Sequence, residues 1–597
     1  MHIKFNDLFS QMQQQLEQPQ AVLNDQLLIE LVERIRPIDA YQTDEIHQKF
    51  QALIQALLIT PDAASTLQSF VLRLISQYKQ TSLYADTGIL SLDGFWNQLS
   101  QRLGAHFLPL INDETQLQDL VRRVFPNRSD KYWLDNIRDS DWLQLLNLLN
   151  HGHANQKEKV KIRSEVIKAI TVLSYRISGI GLYPEFINAH PELTEYESPF
   201  LVQNREIIEF IQQYKKAHQA AETSSVVAPP DASQALVMIE QCRDVVLKIR
   251  RATKRIGVSV SLTYLISLLE QCLDRVELLL NLIVEEGEAH YEAVSLLLVD
   301  ITAAIYSERS VRSLLTTNSE LIALQVTENA SKTGEHYVST DKQGFLAMYK
   351  SAAGAGVIIA TMATLKILSA RMIMAPLMQA FVYSMNYSLG FMLIHVLHFT
   401  VATKQPAMTA AALINALEDG LKKQANGDGE KHKSFAILFA RLFRSQFIAF
   451  VGNVVMAFPV AFLGIWLIDL AFDYNIAETK WEKLVTDLSP IHSMAIFHAA
   501  IAGFFLFLSG IISGSIANRD KHFDVYYRIQ EHPLLKLNFG KAKAEKISKW
   551  YERYWAGIIS NFWFGVFLGS TASVGLFLGL NLDIRHITFA SGNLALA

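Results

Sequence analysis

The stretch FIAFVGNVVMAFPVAFLGIWLIDLAF, residues 447–472, decides the fold. It holds 26 residues and one charge, Asp469. A helix of about 20 apolar residues crosses a hydrocarbon core of about 30 Å, so this segment is long enough to span a bilayer. Outward from it lie four more such runs, at about 352–370, 376–399, 494–517 and 556–580. Lys366 stands near the end of the first, where a long side chain can snorkel to the interface. Only a few residues separate the first two runs, which predicts a helical hairpin, and Pro376 suits the first turn of its second helix.

Basic residues orient the spans. The connection between the second and third carries Lys404, Lys422, Lys423, Lys431, Lys433, Arg441 and Arg444. The connection between the fourth and fifth carries nine Lys and Arg from Arg519 to Arg553. The opposite side has Arg371, Lys480, Lys483 and Arg585. The rich side is expected to be cytoplasmic, and with five spans the N-terminal part lies there too. The first residues show no basic and then apolar leader, which agrees.

Residues 1 to about 345 read as soluble. Apolar residues recur at helical spacing over 26–36, 51–58 and 65–77, and no long alternating run suggests a strand. The stretch AAETSSVVAPPDAS, residues 220–233, reads as a linker. Three long helical patterns follow, roughly 234–255, 262–284 and 289–322, with turns at Gly257 and Gly287, and suggest an antiparallel bundle. The expected organisation is a cytoplasmic helical domain over 1–219, a helical bundle over 234–348 and a transmembrane domain over 349–597. The fold class is therefore all-α. Overall the chain has 597 residues, 50% hydrophobic and 19% charged, with net charge −4. That composition excludes a disordered chain, and no global basic field marks a nucleic-acid binder. Its two cysteines, Cys242 and Cys272, make no disulfide framework or zinc quartet and read as reduced core thiols.

Candidate chemistry is sparse. His395 and His398, three apart near the end of the second span, share a helical face. His498, early in the fourth span, lies roughly 20 Å from them in depth and cannot join one shared site. Asn386 and Asn453 read as interhelical hydrogen-bonding groups. The polar run from Thr400 to Pro406, with Lys404, is either a helix exit or a re-entrant functional loop. Glu335 and His336 precede the membrane, and Glu286, Glu288 and His290 sit at a turn. No metal site and no cofactor motif is expected: there is no P-loop, complete dinucleotide fingerprint, H-E-x-x-H or G-x-S-x-G. Gly510 and Gly514, Gly565 and Gly569, and Gly575 and Gly579 are four-residue pairs that let helices approach closely. They predict packing within the bundle first, and a homo-oligomer second. The basic connection 519–555 interleaves Tyr526, Tyr527, Phe539, Trp550, Tyr551, Tyr554 and Trp555. This predicts an interfacial aromatic belt before a DNA surface.

Several segments resemble a bacterial family known as site-specific recombinase transmembrane proteins. They are Ile180-Gly-Leu-Tyr-Pro-Glu with Ser198-Pro-Phe-Leu-Val-Gln-Asn, Gly257-Val-Ser-Val-Ser-Leu-Thr-Tyr-Leu, and Thr333-Gly-Glu-His-Tyr. Gly390-Phe with His395, Ala402-Thr-Lys-Gln-Pro-Ala-Met-Thr-Ala and Asp583-Ile-Arg-His-Ile-Thr-Phe-Ala-Ser-Gly-Asn-Leu complete the set. The resemblance covers about 160 to the end. It implies a bacterial inner-membrane protein, DNA as a partner, and a further span beyond the last motif. Strand exchange needs a nucleophile with charged groups holding the scissile phosphate. None of the 17 histidines is followed by Arg at the third position, and Tyr175-Arg176-Ile177-Ser178 only loosely echoes a serine-recombinase motif. The residues therefore point to a membrane scaffold or transport-related protein, with lipid as partner. A membrane-bound DNA recombination or binding protein is the alternative, and an enzyme using His395, His398 or Lys404 comes third.

Overall fold

A computed structural model describes residues 5–18, 22–91, 93–107, 115–150, 156–222, 230–256, 260–284, 287–320, 342–370, 372–402, 433–473 and 481–596. Among them the regular structure is helical, and β pairing is limited to one bridge between Lys79 and Gln116. The chain divides into two compact units, 1–255 with 261–319, and 256–260 with 320–597.

The first unit packs short amphipathic helices, among them Gln26–Ile35, Thr43–Ile59 and Ala63–Ser76, with five longer ones. These are α1 (Gln156–Gly181), α2 (Pro199–Glu222), α3 (Ser233–Ile256), α4 (Val260–Val284) and α5 (Glu288–Arg309). One apolar core runs from Phe5 to Ile305. Gly181 closes α1 against Phe200, whose ring carbon would stand 2.3 Å from an added methyl. The pair α3 and α4 is antiparallel, since Arg243 bonds Asp274 and Glu277 while Arg250 bonds Glu270. The third pattern breaks earlier than its periodicity predicts. Ser310 turns extended, Arg102 donates to the carbonyls of Ser307 (2.9 Å) and Ser310 (2.7 Å), and the Ser310 hydroxyl caps the Ser313 N–H. On its other side α5 lies on the short helices Leu117–Val124, Asp130–Asp135 and Asp139–Asn150.

The second unit contains α6 (Lys342–Ser369), α7 (Pro376–Val396), α8 (Lys433–Phe472), α9 (Ala495–His522), α10 (Lys541–Leu578) and α11 (Ile587–Leu596). Six described helices are long and apolar enough to cross a membrane. Five are α6 to α10, which contain the five apolar runs; the sixth lies in α5, whose Leu297, Ile301 and Ile305 belong to the first unit's core. Phe458, Phe462, Trp466 and Leu470 form an exposed apolar stripe along α8, as a lipid-facing helix requires.

Glycines set the helix contacts. An added methyl at Gly452 would stand 2.8 Å from Ala352 Cβ and one at Gly356 2.6 Å from the Asn453 carbonyl, so α6 and α8 run side by side in the same direction. Gly557, Gly565 and Gly569 of α10 face His395, Ser388 and Ser384 of α7, which makes that pair antiparallel. The Ser388 hydroxyl donates to the Phe562 carbonyl at 2.7 Å, a bond that only such close backbones permit. These pairings define two ends of the bundle, marked below by His395 and Lys366.

Candidate functional site in the helical bundle

At the His395 end the chain leaves α7 without a helical exit. His398 takes φ +58°, and residues 399–402 fold back along α6 and α8 as a buried strap. Non-helical backbone at membrane depth must find partners inside the protein, and side chains supply them. The amide of Asn453, fully buried on α8, donates to the carbonyls of Ala352 (2.7 Å) and Thr400 (3.0 Å) and accepts the Ala402 N–H (3.0 Å). Gln446 donates to the Ala402 carbonyl at 2.8 Å. Ser351 donates to the His398 carbonyl at 3.0 Å and lies 2.9 Å from the Thr400 hydroxyl. Gly354 leaves room for the Phe399 ring.

His395 and His398 meet on Tyr554 of α10. Their ring centroids lie 6.2 and 5.3 Å from the tyrosine ring, and His398 Nε2 is 3.0 Å from its hydroxyl. Gly557 makes room for His395, because a methyl there would fall 2.1 Å from Nε2. Tyr554 carries no recognisable motif; its place two residues before the last apolar run was the signal available.

The Lys366 end is charged. Lys366 reaches the rings of Tyr383 (5.6 Å) and Tyr387 (5.5 Å), a cation–π arrangement, with Asp583 within electrostatic reach. Arg585 bonds Asp583, and its Nη2 is 3.1 Å from Asp487. His498 belongs to this end, with Nε2 3.1 Å from the Asn581 carbonyl, far from His395 along the bundle. Asn386 donates to the Met362 carbonyl at 2.9 Å. From α11, Phe589 packs on Tyr387 and Ser591 donates to the Val454 carbonyl. The sequence signal for this cluster was Asp583 and Arg585 directly after an apolar run.

Of the other candidates, Lys404, Glu335, His336 and Glu286 lie outside the described residues. His290 Nδ1 is 3.0 Å from the Leu282 carbonyl, at a helix turn. Gly565 and Gly569 are helix-contact glycines, whereas a methyl at Gly510 would meet nothing within 4 Å. Gly575 and Gly579 serve the C-terminal cap of α10: Gly579 takes φ +68° and the Leu580 N–H returns to the Gly575 carbonyl at 2.8 Å. Among the described residues no group of three His, Cys, Asp or Glu could hold a metal ion.

Recombinase chemistry finds no assembled nucleophile at the one motif that echoes it. Arg176 is engaged by Asp86 and the Ala85 carbonyl, Ile177 is core, and the Ser178 hydroxyl donates to the carbonyls of Ser174 and Phe200. No curated protein and no solved structure matches the chain. A family model described as site-specific recombinase matches residues 23–597, both units included. On that match the chain belongs to the site-specific recombinase family.

Proposed function

We propose that this chain is a multi-pass protein of the bacterial inner membrane, with its N-terminal unit cytoplasmic, that serves in transport or as a membrane scaffold. The observation that carries the reading is the charge cluster of Lys366, Asp583, Arg585 and Asp487 among apolar helices. Lys366 lies within an apolar span, where a charge is costly and marks an ion or substrate path; Asp583, Arg585 and Asp487 meet it from the connections at that end. The orientation rests on the basic connections at the His395 end, where α6 also begins. The test is the full chain in liposomes holding a pH-sensitive dye under an imposed potential. Proton flux carried by the wild type and abolished by K366M and D583N supports transport. Flux that both variants leave intact removes the cluster from the path. Silence toward protons, sodium and potassium leaves the scaffold.

The second reading is a membrane-associated site-specific DNA recombination or DNA-binding protein, which the family description favours. Sequence-selective DNA binding by the solubilised chain that survives physiological salt would support it. Binding lost by about 0.2 M salt would be the response of any polycation.

A further inference from the structure

We infer that the outer face of the first turns of α10 docks on anionic lipid headgroups. This rests on the reading of α9 and α10 as membrane spans. Residues 519–555 carry nine Lys and Arg against five Asp and Glu, a formal +4 in a chain of net −4. At 1.5 Å per residue, residues 541–555 carry α10 about 22 Å beyond the apolar run that starts at 556.

The two faces of this extension differ. On one, Ala544 and Ser548 are buried, the Ser548 hydroxyl donates to the Tyr526 carbonyl (2.6 Å), and the Tyr526 and Tyr551 rings stand 6.2 Å apart. That face packs on the helix Val525–Gln530. The other presents Lys546, Lys549, Trp550 and Arg553 at spacings of three, four and seven, all exposed. Nothing described covers it.

Height selects the partner. Arg553 lies about 5 Å and Lys549 about 10 Å short of the apolar run. A headgroup layer is about 5–8 Å deep, and flexible basic side chains extend the reach by several ångströms. Trp550, its ring 5.7 Å from that of Tyr554, starts about 9 Å short of the apolar run, at the outer edge of that layer. The Lys549–Glu545 pair is exposed and weak, so a lipid phosphate can take Glu545's place. DNA fits less well. Base stacking needs open ring faces, yet Trp555 already stacks on Tyr551 at 5.2 Å and Trp550 leans on Tyr554.

The test compares two variants of equal charge change at different heights. The full chain is reconstituted into nanodiscs of phosphatidylcholine with and without phosphatidylglycerol, and native mass spectrometry counts the lipid retained after release at low salt. Each basic residue near an anionic surface is worth about fivefold. The pair K549Q/R553Q should therefore lower phosphatidylglycerol retention about 25-fold, while K541Q/K543Q, farther from the apolar run, should change it little. Equal loss in both pairs, or no preference for phosphatidylglycerol in the wild type, overturns the inference. So does duplex DNA that displaces the lipid at the same salt and fails to bind K549Q/R553Q. A chain that enters neither kind of nanodisc overturns the spanning reading itself, a result distinct from insertion without lipid preference.

Discussion

The Asn453 amide nitrogen donates to the Thr400 carbonyl at 3.0 Å, across 53 residues, and fastens the strap that follows α7 onto α8. The same side chain also binds Ala352 and Ala402. Each buried group left unpaired costs about 1–3 kcal/mol; N453A orphans the Ala402 N–H and the Thr400 carbonyl, while the Ala352 carbonyl stays in the ladder of α6, so it should destabilise the solubilised chain by about 2 kcal/mol or more. Retention of the wild-type thermal midpoint in detergent would show that the strap holds without it.

Glycines in the same four-residue motif should respond in opposite ways. An added methyl at Gly565 would fall 2.3 Å from the Ser388 backbone nitrogen, and only separation of α7 from α10 relieves that. Overpacking of this kind costs about 1–3 kcal/mol, so G565A should lower the thermal midpoint clearly. G510A meets nothing within 4 Å and should be neutral. Equal effects in the two variants would remove the close α7–α10 contact as their cause.

That contrast shows where the sequence stops being legible. Span positions were readable because membrane insertion depends on composition over about 20 residues, and the run at 447–472 has only Asp469 against it. The amphipathic helices of the first unit were readable for the same local reason. A glycine motif names small residues but not the neighbour they face, so Gly510 and Gly565 look alike in the sequence. The break at Ser310 has a local mark in its cap on the Ser313 N–H, but Arg102, which holds its carbonyl, lies more than 200 residues earlier, outside any local window. The partners of Lys366, namely Tyr383, Tyr387 and Asp583, come from other segments and could not be read beside it. His395 and His398 were recognisable as a pair, but Tyr554 was supplied by the fold.

Cys242 and Cys272 should be inert in the native chain. Burial pushes the Cys242 thiol up to about 12; burial also raises Cys272 to about 11, outweighing Arg176 and Arg275 nearby. The thiolate is the reactive form, so iodoacetamide at pH 8 should label neither residue until denaturant is added, and both afterwards. Rapid labelling of either in the folded chain would contradict its place in the core.

Glu165 should give the first unit an acid-sensitive contribution to stability. Burial alone would raise its pKa, but Lys168 (2.6 Å), the Thr81 hydroxyl (2.8 Å) and the Gln80 N–H outweigh it and bring the carboxyl from 4.5 to about 2. A carboxylate whose folded value is depressed contributes fully above its unfolded value. Its contribution fades as pH falls from 4.5 toward 2. The shift corresponds to about 1–2 kcal/mol after allowance for solvent screening. E165Q should therefore lower the unfolding free energy at pH 7 by that amount, read as a lower urea midpoint by tryptophan fluorescence of the full chain in detergent. Between pH 5.5 and pH 2.5 the wild type should lose more stability than the variant, and the two should converge at the acid end. Parallel losses across that window would mean that another carboxylate governs the acid response.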